Sequence, residues 1–305
     1  MSPETFSLPS FAKINLFLRI LGRRNDGFHE LCTVFQTVSL RDNLTFAEDS
    51  ELILTSDGQN IPLDDRNLII KSAKLLKEKF GIETGAKIHL EKNIPAPGGL
   101  GGGSSNAAIA LLGLSKLWKI KIDFADLIEM GKLLGSDVPF FFYGGTAIGT
   151  GRGTEIFPRE EIVEKNILIV TPKIDVSTVA AFGQINARHL TNNSSKSILQ
   201  ICRNEAESMF LLQTPVINDF ELVVFKLEPE IERVKNALVA SGAKTALMSG
   251  SGASVFAAFE NQKQMETARH NLTFERDWRL FSVKTVSRSD YFESLKYFPH
   301  LLQKD

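Results

Sequence analysis

Residues 95–108 read PAPGGLGGGSSNAA, and five of the six positions from Gly98 to Gly103 are glycine. Because glycine has no Cβ, such a backbone can turn sharply and approach a ligand closely. The alanine- and leucine-rich segment that follows predicts a helix over residues 104–117. The first N–H groups of a helix lack intrahelical partners and carry roughly half a positive charge. This segment therefore predicts a site that binds the phosphates of a nucleotide.

Two commoner phosphate-binding motifs are excluded by the same residues. The segment has no Gly-Lys-Ser or Gly-Lys-Thr ending, so it is not a Walker-type P-loop. Starting from Gly99 and Gly101, the third glycine of the dinucleotide-binding spacing falls on Ser104. A flexible linker is the remaining alternative, which we disfavour because linkers seldom separate a strand from a strongly apolar helix.

The segments before the glycine-rich loop are predicted to form strands and one helix. Residues 12–20 alternate between apolar and polar side chains, which predicts a half-buried strand. The turn Asn25-Asp26-Gly27 predicts a hairpin whose second strand covers residues 29–40. We also predict short strands near 44–47 and 52–55, a helix over 68–80 between Asp64-Asp65 and Gly81, and a strand over 87–92.

The segments after the loop mix helices and strands without strict alternation, which favours the α+β class. A helix over residues 124–134 is followed by a glycine-rich stretch, where we place a boundary between domains 1–153 and 154–305. The second half predicts strands at 167–170, within 249–259 as a pair, and at 280–286, with helices starting near Ser177 and around 195–212, 228–240 and 261–271.

Composition restricts the class of protein. A length of 305 residues favours two domains, and 43% hydrophobic with 23% charged residues is ordinary globular composition. A net charge of -1 gives no reason to expect a nucleic-acid partner. Cys32 and Cys202 are too far apart in sequence to indicate a disulfide framework or a zinc site. With no membrane-length apolar run and no signal core, we expect a cytoplasmic enzyme without a membrane partner.

The glycine-serine segment resembles the second motif of the GHMP kinases, a superfamily of small-molecule kinases. Residues 12–18, AKINLFL, and 22–31, GRRNDGFHEL, more specifically resemble a branch that acts on a cytidyl diphosphate sugar alcohol in the non-mevalonate route to isoprenoid precursors. Residues 134–141, LGSDVPFF, and 249–254, SGSGAS, are similar to later motifs of that branch. The motifs lie in order over most of the chain.

The resemblance implies a two-lobed GHMP kinase fold, with a ribosomal-protein-type N-terminal domain that binds ATP and a ferredoxin-like C-terminal domain. It implies transfer of the terminal phosphoryl group of ATP, with Mg²⁺, to a substrate hydroxyl. No carboxylate pair indicates a ligand set for the metal, so we assign no metal-binding residue. The expected partner is a small-molecule substrate, and the expected assembly is a monomer or a weak homodimer.

Lys13 and Asp137 are the catalytic residues that the resemblance implies. Asp137 lies in a turn just past a predicted helix and would accept the proton of the attacking hydroxyl. Lys13 would pair with Asp137 and keep it ionised. Lys13 and Asn15 are two residues apart on a strand, so their side chains point the same way. Without the resemblance, a turn-forming aspartate and a solvated strand lysine would be the ordinary interpretations.

The other site residues also follow from the resemblance. Substrate-binding residues are Asn15, Phe28, His29, Asp137, Thr178 and Phe182. His29 would hydrogen-bond a cytosine on which Phe28 and Phe182 stack, although core packing is the competing role for both phenylalanines. ATP-binding residues are Asn67, Lys92, Pro95, Gly98, Gly99, Gly101, Gly102, Gly103, Ser104 and Ser105, with Asn67 and Lys92 at the adenine end. Residues 249–252 would close over the transfer region, or form a simple hairpin turn.

Three positions depart from the family pattern, and two alternatives stay open. Pro97 stands where Gly or Ala is usual, Phe28 where Tyr is usual, and Phe11 where a small residue or proline is usual. Phe28 keeps a stacking face and loses a hydroxyl, and Pro97 stiffens the loop entrance.

The alternatives are a GHMP kinase for homoserine or mevalonate, which segment 26–30 disfavours, and an inactive nucleotide-binding protein, which the pair Lys13 and Asp137 disfavours.

Overall fold

The computed structural model describes residues 5–58, 61–185, 192–208, 216–296 and 298. Within these residues the chain forms two lobes, each a β-sheet with helices packed on it. This mixture of helices with two separate sheets confirms the predicted α+β class.

The first half of the chain supplies most of the larger lobe. Its elements are β1 (Thr5–Arg23), β2 (His29–Asp49), β3 (Leu52–Ser56), α1 (Leu68–Phe80), β4 (Gly85–Glu91), α2 (Gly102–Leu117), α3 (Phe124–Leu134), a 3₁₀ helix (Pro139–Phe142), β5 (Thr146–Thr150) and β6 (Glu155–Pro158). The second half contains β7 (Ile167–Pro172), α4 (Thr178–Gln184), α5 (Asn192–Glu207), β8 (Ile217–Asn218), α6 (Glu221–Leu227), α7 (Pro229–Ala240), β9 (Thr245–Met248), β10 (Val255–Ala258), α8 (Gln262–Leu272), β11 (Trp278–Val283) and α9 (Arg288–Ser294).

The larger sheet is built on the long antiparallel pair β1 and β2. Among the described residues its order is β3-β4-β2-β1-β8, and β5 joins β2 and carries β6 at its other edge. The predicted turn at residues 25–27 connects β1 to β2, and Arg23 lies opposite His29 in the ladder. The prediction of a half-buried first strand is wrong, because Lys13 and Asn15 on its polar side are only 3% and 2% exposed. Other parts of the chain therefore cover that side.

Helices α1, α2 and α3 pack on one another, and α2 lies directly against β1 and β2. Asn67 caps α1 through its side chain, and Gly81 ends it in the left-handed conformation with φ 65°. The predicted aspartates 64 and 65 lie before this cap and not in the first helical turn. Helix α2 is buried along nearly its whole length. A Cβ on its Gly113 would stand 2.3 Å from the ring of Phe46, so glycine permits this close contact with β2.

The smaller sheet is antiparallel, with the order β11-β7-β10-β9 in the described part of the chain, and α7 and α8 contact it. We predicted a strand pair within residues 249–259, whereas the strands are β9 and β10, and residues 249–254 form the turn between them. The last predicted strand is shifted as well, because β11 begins at Trp278 and ends at Val283. Of the predicted helix 195–212, residues 209–212 lie outside the described residues.

Six described elements were not predicted from the sequence: the 3₁₀ helix, β5, β6, β8, α6 and α9. Helix α9 returns to the larger lobe, where the fully buried Tyr291 donates a hydrogen bond to the carbonyl of Phe141, 2.5 Å away. Strand β6 also belongs to the larger sheet, although it follows residue 153. The division of the chain into domains 1–153 and 154–305 stays a prediction. The described helices include none with the length and apolar character that a membrane crossing requires.

Candidate active site

A cleft of about 860 Å³ lies between the two lobes. The lining residues come mainly from the second half of β1, the β1–β2 hairpin with the first part of β2, and residues 136–137 and 152–153. The others come mainly from the glycine loop (residues 98–103), helix α4 and the β9–β10 connection (residues 249–254, here the closing turn). The predicted site residues that line the cleft are Lys13, Asn15, Phe28, His29, Gly98, Gly99, Gly101, Ser104, Asp137, Thr178 and Phe182. Residues separated by up to 169 positions in sequence are thus brought to one cavity.

The predicted pair of Lys13 and Asp137 forms an ion pair in this cleft. The Nζ atom of Lys13 lies 3.1 Å from Oδ2 of Asp137, and the two side chains are 3% and 31% exposed. Asp137 follows α3 and precedes the 3₁₀ helix, so it stands at the end of one element and the start of another. The carboxylate is therefore open to a ligand on one side and bound to a buried cation on the other.

Lys13 has three oxygen partners for its three N–H bonds. Besides Asp137, its Nζ atom donates to Oδ1 of Asn15 at 2.7 Å and to the carbonyl of Gly99 at 3.0 Å. Its backbone N–H donates to the carbonyl of Leu100 at 2.9 Å. A buried charge is tolerated when it is paired and hydrogen-bonded in this way. The lysine thus joins β1, the glycine loop and the candidate base.

The glycine loop ends in an uncapped helix terminus. Gly101 is the residue before α2, with φ 69°, and no side chain hydrogen-bonds to this end of the helix. The first backbone bond of the helix runs from Ser105 N to Gly101 O at 2.8 Å. Among the described residues, the N–H groups of Gly102, Gly103 and Ser104 have no acceptor. Three free donors at a helix N-terminus are chemically suited to a phosphate group.

The closing turn contacts the glycine loop from the smaller lobe. Ser249 Oγ donates to the carbonyl of Gly99 at 2.9 Å, and Ser254 N donates to the carbonyl of Gly98 at 3.1 Å. A Cβ on Gly99 would stand 2.1 Å from the carbonyl oxygen of Ser249, so this contact requires glycine. The closing turn therefore packs against the glycine loop, and the role of residues 249–252 in phosphoryl transfer stays a prediction.

Four predicted ATP-binding residues, Asn67, Lys92, Pro95 and Ser105, are not among the side chains that line the cleft. Ser105 is fully buried, and its hydroxyl accepts a 2.7 Å hydrogen bond from Ser10. Both polar atoms of the Asn67 side chain are used at the start of α1, where it accepts from Ile69 N at 2.9 Å and donates to Pro62 O at 2.7 Å. Pro95 is buried before the loop. The Asn67 and Ser105 side chains thus make internal hydrogen bonds, and the role of these residues in binding ATP stays a prediction.

Lys92 belongs to a buried network behind the glycine loop. Its Nζ atom lies 2.6 Å from Oδ2 of Asp42, which also accepts from Asn106 Nδ2 at 2.9 Å. The other oxygen of Asp42 accepts from the backbone N–H groups of Asn93 and Ile94, each at 2.8 Å. Burial lowers the pKa of Lys92, and the attraction of Asp42 opposes that shift. The network lies next to the first residue of α2.

Phe28, His29 and Phe182 form what we call the aromatic end of the cleft. The rings of His29 and Phe182 stack, with centroids 4.9 Å apart and planes 16° from parallel. Phe28 is 51% exposed, and the guanidinium of Arg152 lies 4.3 Å from its ring centroid. Burial, with a smaller effect of Arg23, lowers the pKa of His29. His29 is therefore a neutral imidazole at neutral pH, with one donor and one acceptor nitrogen.

Sequence reasoning missed several residues of the site. Arg23 and Arg152 line the aromatic end, and Ser136 lines the cleft beside Asp137. Asn218, on the unpredicted β8, donates to the carbonyls of Met248 and Gly250 at 2.7 and 2.8 Å and so positions the closing turn. Arg152 stands between two glycines, and that spacing was the signal available in the sequence. Thr178, which was predicted, shares a 2.8 Å hydrogen bond with Ser251 of the closing turn.

The described residues offer no protein-made metal site. No group of three or more His, Cys, Asp or Glu side chains is placed among them to hold a metal ion. Asp137 is the only carboxylate among the lining residues of the cleft, and it is already bound to Lys13. Any divalent ion used here would therefore need most of its ligands from elsewhere.

Comparison with known proteins gives a consistent result. The model of the GHMP kinases N terminal domain matches residues 67–145, and that of the GHMP kinases C terminal region matches residues 195–276. Relatives named 4-diphosphocytidyl-2-C-methyl-D-erythritol kinase occur in Protochlamydia amoebophila, 39% identical over 84% of this chain and 86% of the relative, and in Bacillus cereus, 39% identical over 86% and 90%. A third, from Caldicellulosiruptor saccharolyticus, is 37% identical over 84% of this chain and 88% of the relative.

Solved structures show the same similarity. A crystal structure of 4-(cytidine 5'-diphospho)-2C-methyl-D-erythritol kinase is 32% identical, with a TM-score of 0.73 over 92% of this chain and 99% of that one. A homoserine kinase from Cytophaga hutchinsonii, 20% identical, has a TM-score of 0.65 over 93% of this chain and 96% of that one. A mevalonate kinase, 16% identical, has a TM-score of 0.66 over 92% and 99%. At such identities the last two show a shared fold only.

Proposed function

The chain belongs to the 4-diphosphocytidyl-2-C-methyl-D-erythritol kinases, a family of GHMP kinases, and from this we propose that it phosphorylates a hydroxyl of that cytidyl compound with ATP. The expected two-lobed GHMP kinase fold is confirmed by the same matches. The reaction belongs to the non-mevalonate route to isoprenoid precursors.

One observation carries the proposal: the ion pair of Lys13 and Asp137 shares one cleft with the glycine loop before the uncapped start of α2 and with the aromatic end. A nucleotide whose phosphates meet the free N–H groups of α2 would present its terminal phosphorus toward this pair. A second ligand with its pyrimidine against Phe28 and Phe182 would extend toward the same pair from the other side. The arrangement suits a transfer between two bound nucleotides.

The chain's own residues account for the proton and the charge in this transfer. The substrate oxygen forms a bond to the terminal phosphorus while the bond to the bridging oxygen breaks and ADP leaves. Asp137 takes the proton of the attacking hydroxyl on a carboxylate oxygen. Lys13 holds that carboxylate in place through the 3.1 Å ion pair and offsets the negative charge of the transferring group. Asn15 holds Lys13 in place through the 2.7 Å hydrogen bond.

We propose that Mg²⁺ enters bound to ATP and is not held in a resident site. Mg²⁺ usually keeps several waters and binds through substrate phosphates with one or two carboxylates. The single lining carboxylate, Asp137, fits this mode better than a site built of protein ligands. The metal would supply neutralisation of phosphate charge.

The direct test is a coupled assay of ADP release with three substrates: the cytidyl compound, homoserine and mevalonate. We expect turnover with the cytidyl compound alone, because the aromatic end has no role for the other two. Turnover with homoserine or mevalonate in its place would show a different GHMP kinase. ATP binding without ADP release on any of the three would show the inactive nucleotide-binding alternative.

His29 gives a prediction on pH. Because burial lowers its pKa below the ordinary 6.5, the folded enzyme keeps the imidazole neutral down to a lower pH than a free histidine would. We therefore expect the KM for the cytidyl substrate to stay constant from neutral pH to 6.5. It should rise at lower pH, as protonation removes the acceptor nitrogen. The measurement is KM against pH, with the KM for ATP measured in parallel.

The matched control for this prediction is His29→Gln, which keeps one donor and one acceptor and does not titrate. Its KM for the cytidyl substrate should no longer depend on pH in the acid range. Two results would contradict a neutral His29 that binds the cytosine. One is a wild-type KM that increases on acidification before pH 6.5 is reached, and the other is the same increase in His29→Gln.

We further propose a monomer or weak homodimer that acts on small molecules in the cytoplasm without a nucleic-acid partner. The near-neutral net charge of -1 and the two free, buried thiols support this view. Size-exclusion chromatography over a range of concentrations would test the state of assembly.

A further inference from the structure

The side chains that line the cleft carry more positive than negative charges. Three cations, Lys13, Arg23 and Arg152, face one anion, Asp137. Lys13 and Asp137 bind each other, which leaves two guanidinium groups at the aromatic end. Over the described ranges, no carboxylate lies within 4.0 Å of either guanidinium. Unpaired cations that share a cleft indicate an anionic ligand.

Arg152 is positioned by a turn that has a glycine on either side of it. Gly151 and Gly153 have φ of 67° and 90°, values that favour glycine. The N–H of Gly151 donates to Oε1 of Glu30 at 3.0 Å, and its carbonyl accepts from Leu31 N at 2.9 Å. The turn is thereby fixed to the start of β2. Its position places the Arg152 guanidinium over the Phe28 ring, where the N–H groups at the rim of the guanidinium stay available.

Arg23 belongs to β1 of the hairpin, whereas the turn that carries Arg152 is bound to β2. It is the last residue of β1, lies opposite His29, and is exposed at the cleft. The acids nearest to this region are already engaged, because Arg24 binds Asp26 at 3.2 Å and Glu30 at 2.5 Å. Asp26 also interacts with Arg152 at longer range, without a close ion pair. The positive charges of the two arginines are thus not neutralised by a close carboxylate and can interact with a ligand.

We propose that Arg23 and Arg152 bind the diphosphate that links cytidine to the sugar alcohol, an inference that rests on the proposed function. The pyrimidine would occupy the aromatic end and the reacting hydroxyl would reach Asp137, so the diphosphate lies in the cleft between them. Arginine is suited to this because its planar fork donates two N–H bonds to one phosphate. Both residues are specificity determinants for a diphosphate-linked substrate, and neither takes part in the transfer.

The test compares the binding of two probes, CDP and cytidine, that differ only in the diphosphate. Dissociation constants are measured by calorimetry for the wild type, Arg23→Gln, Arg152→Gln and the double variant. We expect the wild type to bind CDP more tightly than cytidine. The double variant should lose about tenfold in affinity for CDP, as expected for charge-assisted hydrogen bonds, and little for cytidine. The preference for CDP should also weaken with added salt in the wild type.

Arg276→Gln is the matched control, because Arg276 is an exposed arginine in a turn far from the residues that line the cleft. It should leave both dissociation constants unchanged. Thermal unfolding of each variant should match the wild type, since the substituted side chains are exposed or only partly buried.

Three outcomes separate this inference from the proposed function. Equal losses for CDP and cytidine in Arg152→Gln would show that Arg152 acts only through Phe28 and the base, which overturns the inference. Unchanged CDP binding in the double variant would overturn it as well, while leaving the proposed function intact. A wild type that binds neither probe would overturn the proposed function itself.

Discussion

Replacing Asp137 by asparagine is expected to lower kcat by about 10²- to 10⁴-fold, the usual contribution of a positioned general base. Asparagine has nearly the same size and keeps an oxygen within reach of Lys13, but it cannot accept a proton at neutral pH. Lys13 keeps its bonds to Asn15 and Gly99, so the buried cation stays partly satisfied. The loss should therefore appear in the chemical step.

The measurement is steady-state ADP release together with a direct ATP-binding titration. ATP binding should be retained, since the N–H groups of α2 that we propose bind phosphate do not depend on Asp137. Asp126→Asn is the control: Asp126 is a half-exposed aspartate of α3 that binds Lys79, and its loss should leave kcat unchanged. An Asp137→Asn enzyme that keeps most of its rate would show that another group takes the proton.

Local signals in the sequence predicted much of the framework. The turn at residues 25–27 and the alternation before it gave the β1–β2 hairpin, because both features depend on neighbouring residues only. The bounds of α3, Phe124–Leu134, agree with the prediction, since Gly135 ends the helix. The glycine loop was located because its composition has few alternative explanations.

Burial and side-chain direction could not be predicted in the same way. Lys13 was expected on a polar strand face, yet the glycine loop covers it from 86 residues away. Ser105 belongs to the family motif, but its hydroxyl bonds to Ser10, 95 residues earlier, and points away from the cleft. These partners come together only when the sheet and α2 pack. Periodicity describes one element at a time and carries no information on such contacts.

Arg152 illustrates a related limit. The glycines on either side of it predict a loop, and both have the positive φ of a turn. The sequence did not show that this loop is hydrogen-bonded to Glu30 at the start of β2. The function of a charged residue in a turn depends on what the turn is fixed to, and here that is the hairpin that carries Phe28 and His29.

Asp42 is the residue whose replacement should cost the fold most. We expect Asp42→Asn to lower the free energy of unfolding by about 3–5 kcal/mol, the range for removing one partner of a buried ion pair. Asparagine can still accept from the N–H groups of residues 93 and 94. Its amide nitrogen would then face Nζ of Lys92, so the buried cation loses its acceptor. Equilibrium unfolding in urea measures the loss.

The double variant Asp42→Asn with Lys92→Met tests whether the uncompensated cation is the cause. Removing the lysine as well should recover part of the stability, so the two changes should not be additive. Additive losses, or a single-variant loss of less than about 1 kcal/mol, would contradict a coupled buried pair. Because the Lys92 ammonium lies beside Gly102 at the start of α2, the same variants should raise the KM for ATP more than that for the cytidyl substrate. Asp42 thus links the stability of the larger lobe to the position of the three N–H groups that we propose bind phosphate.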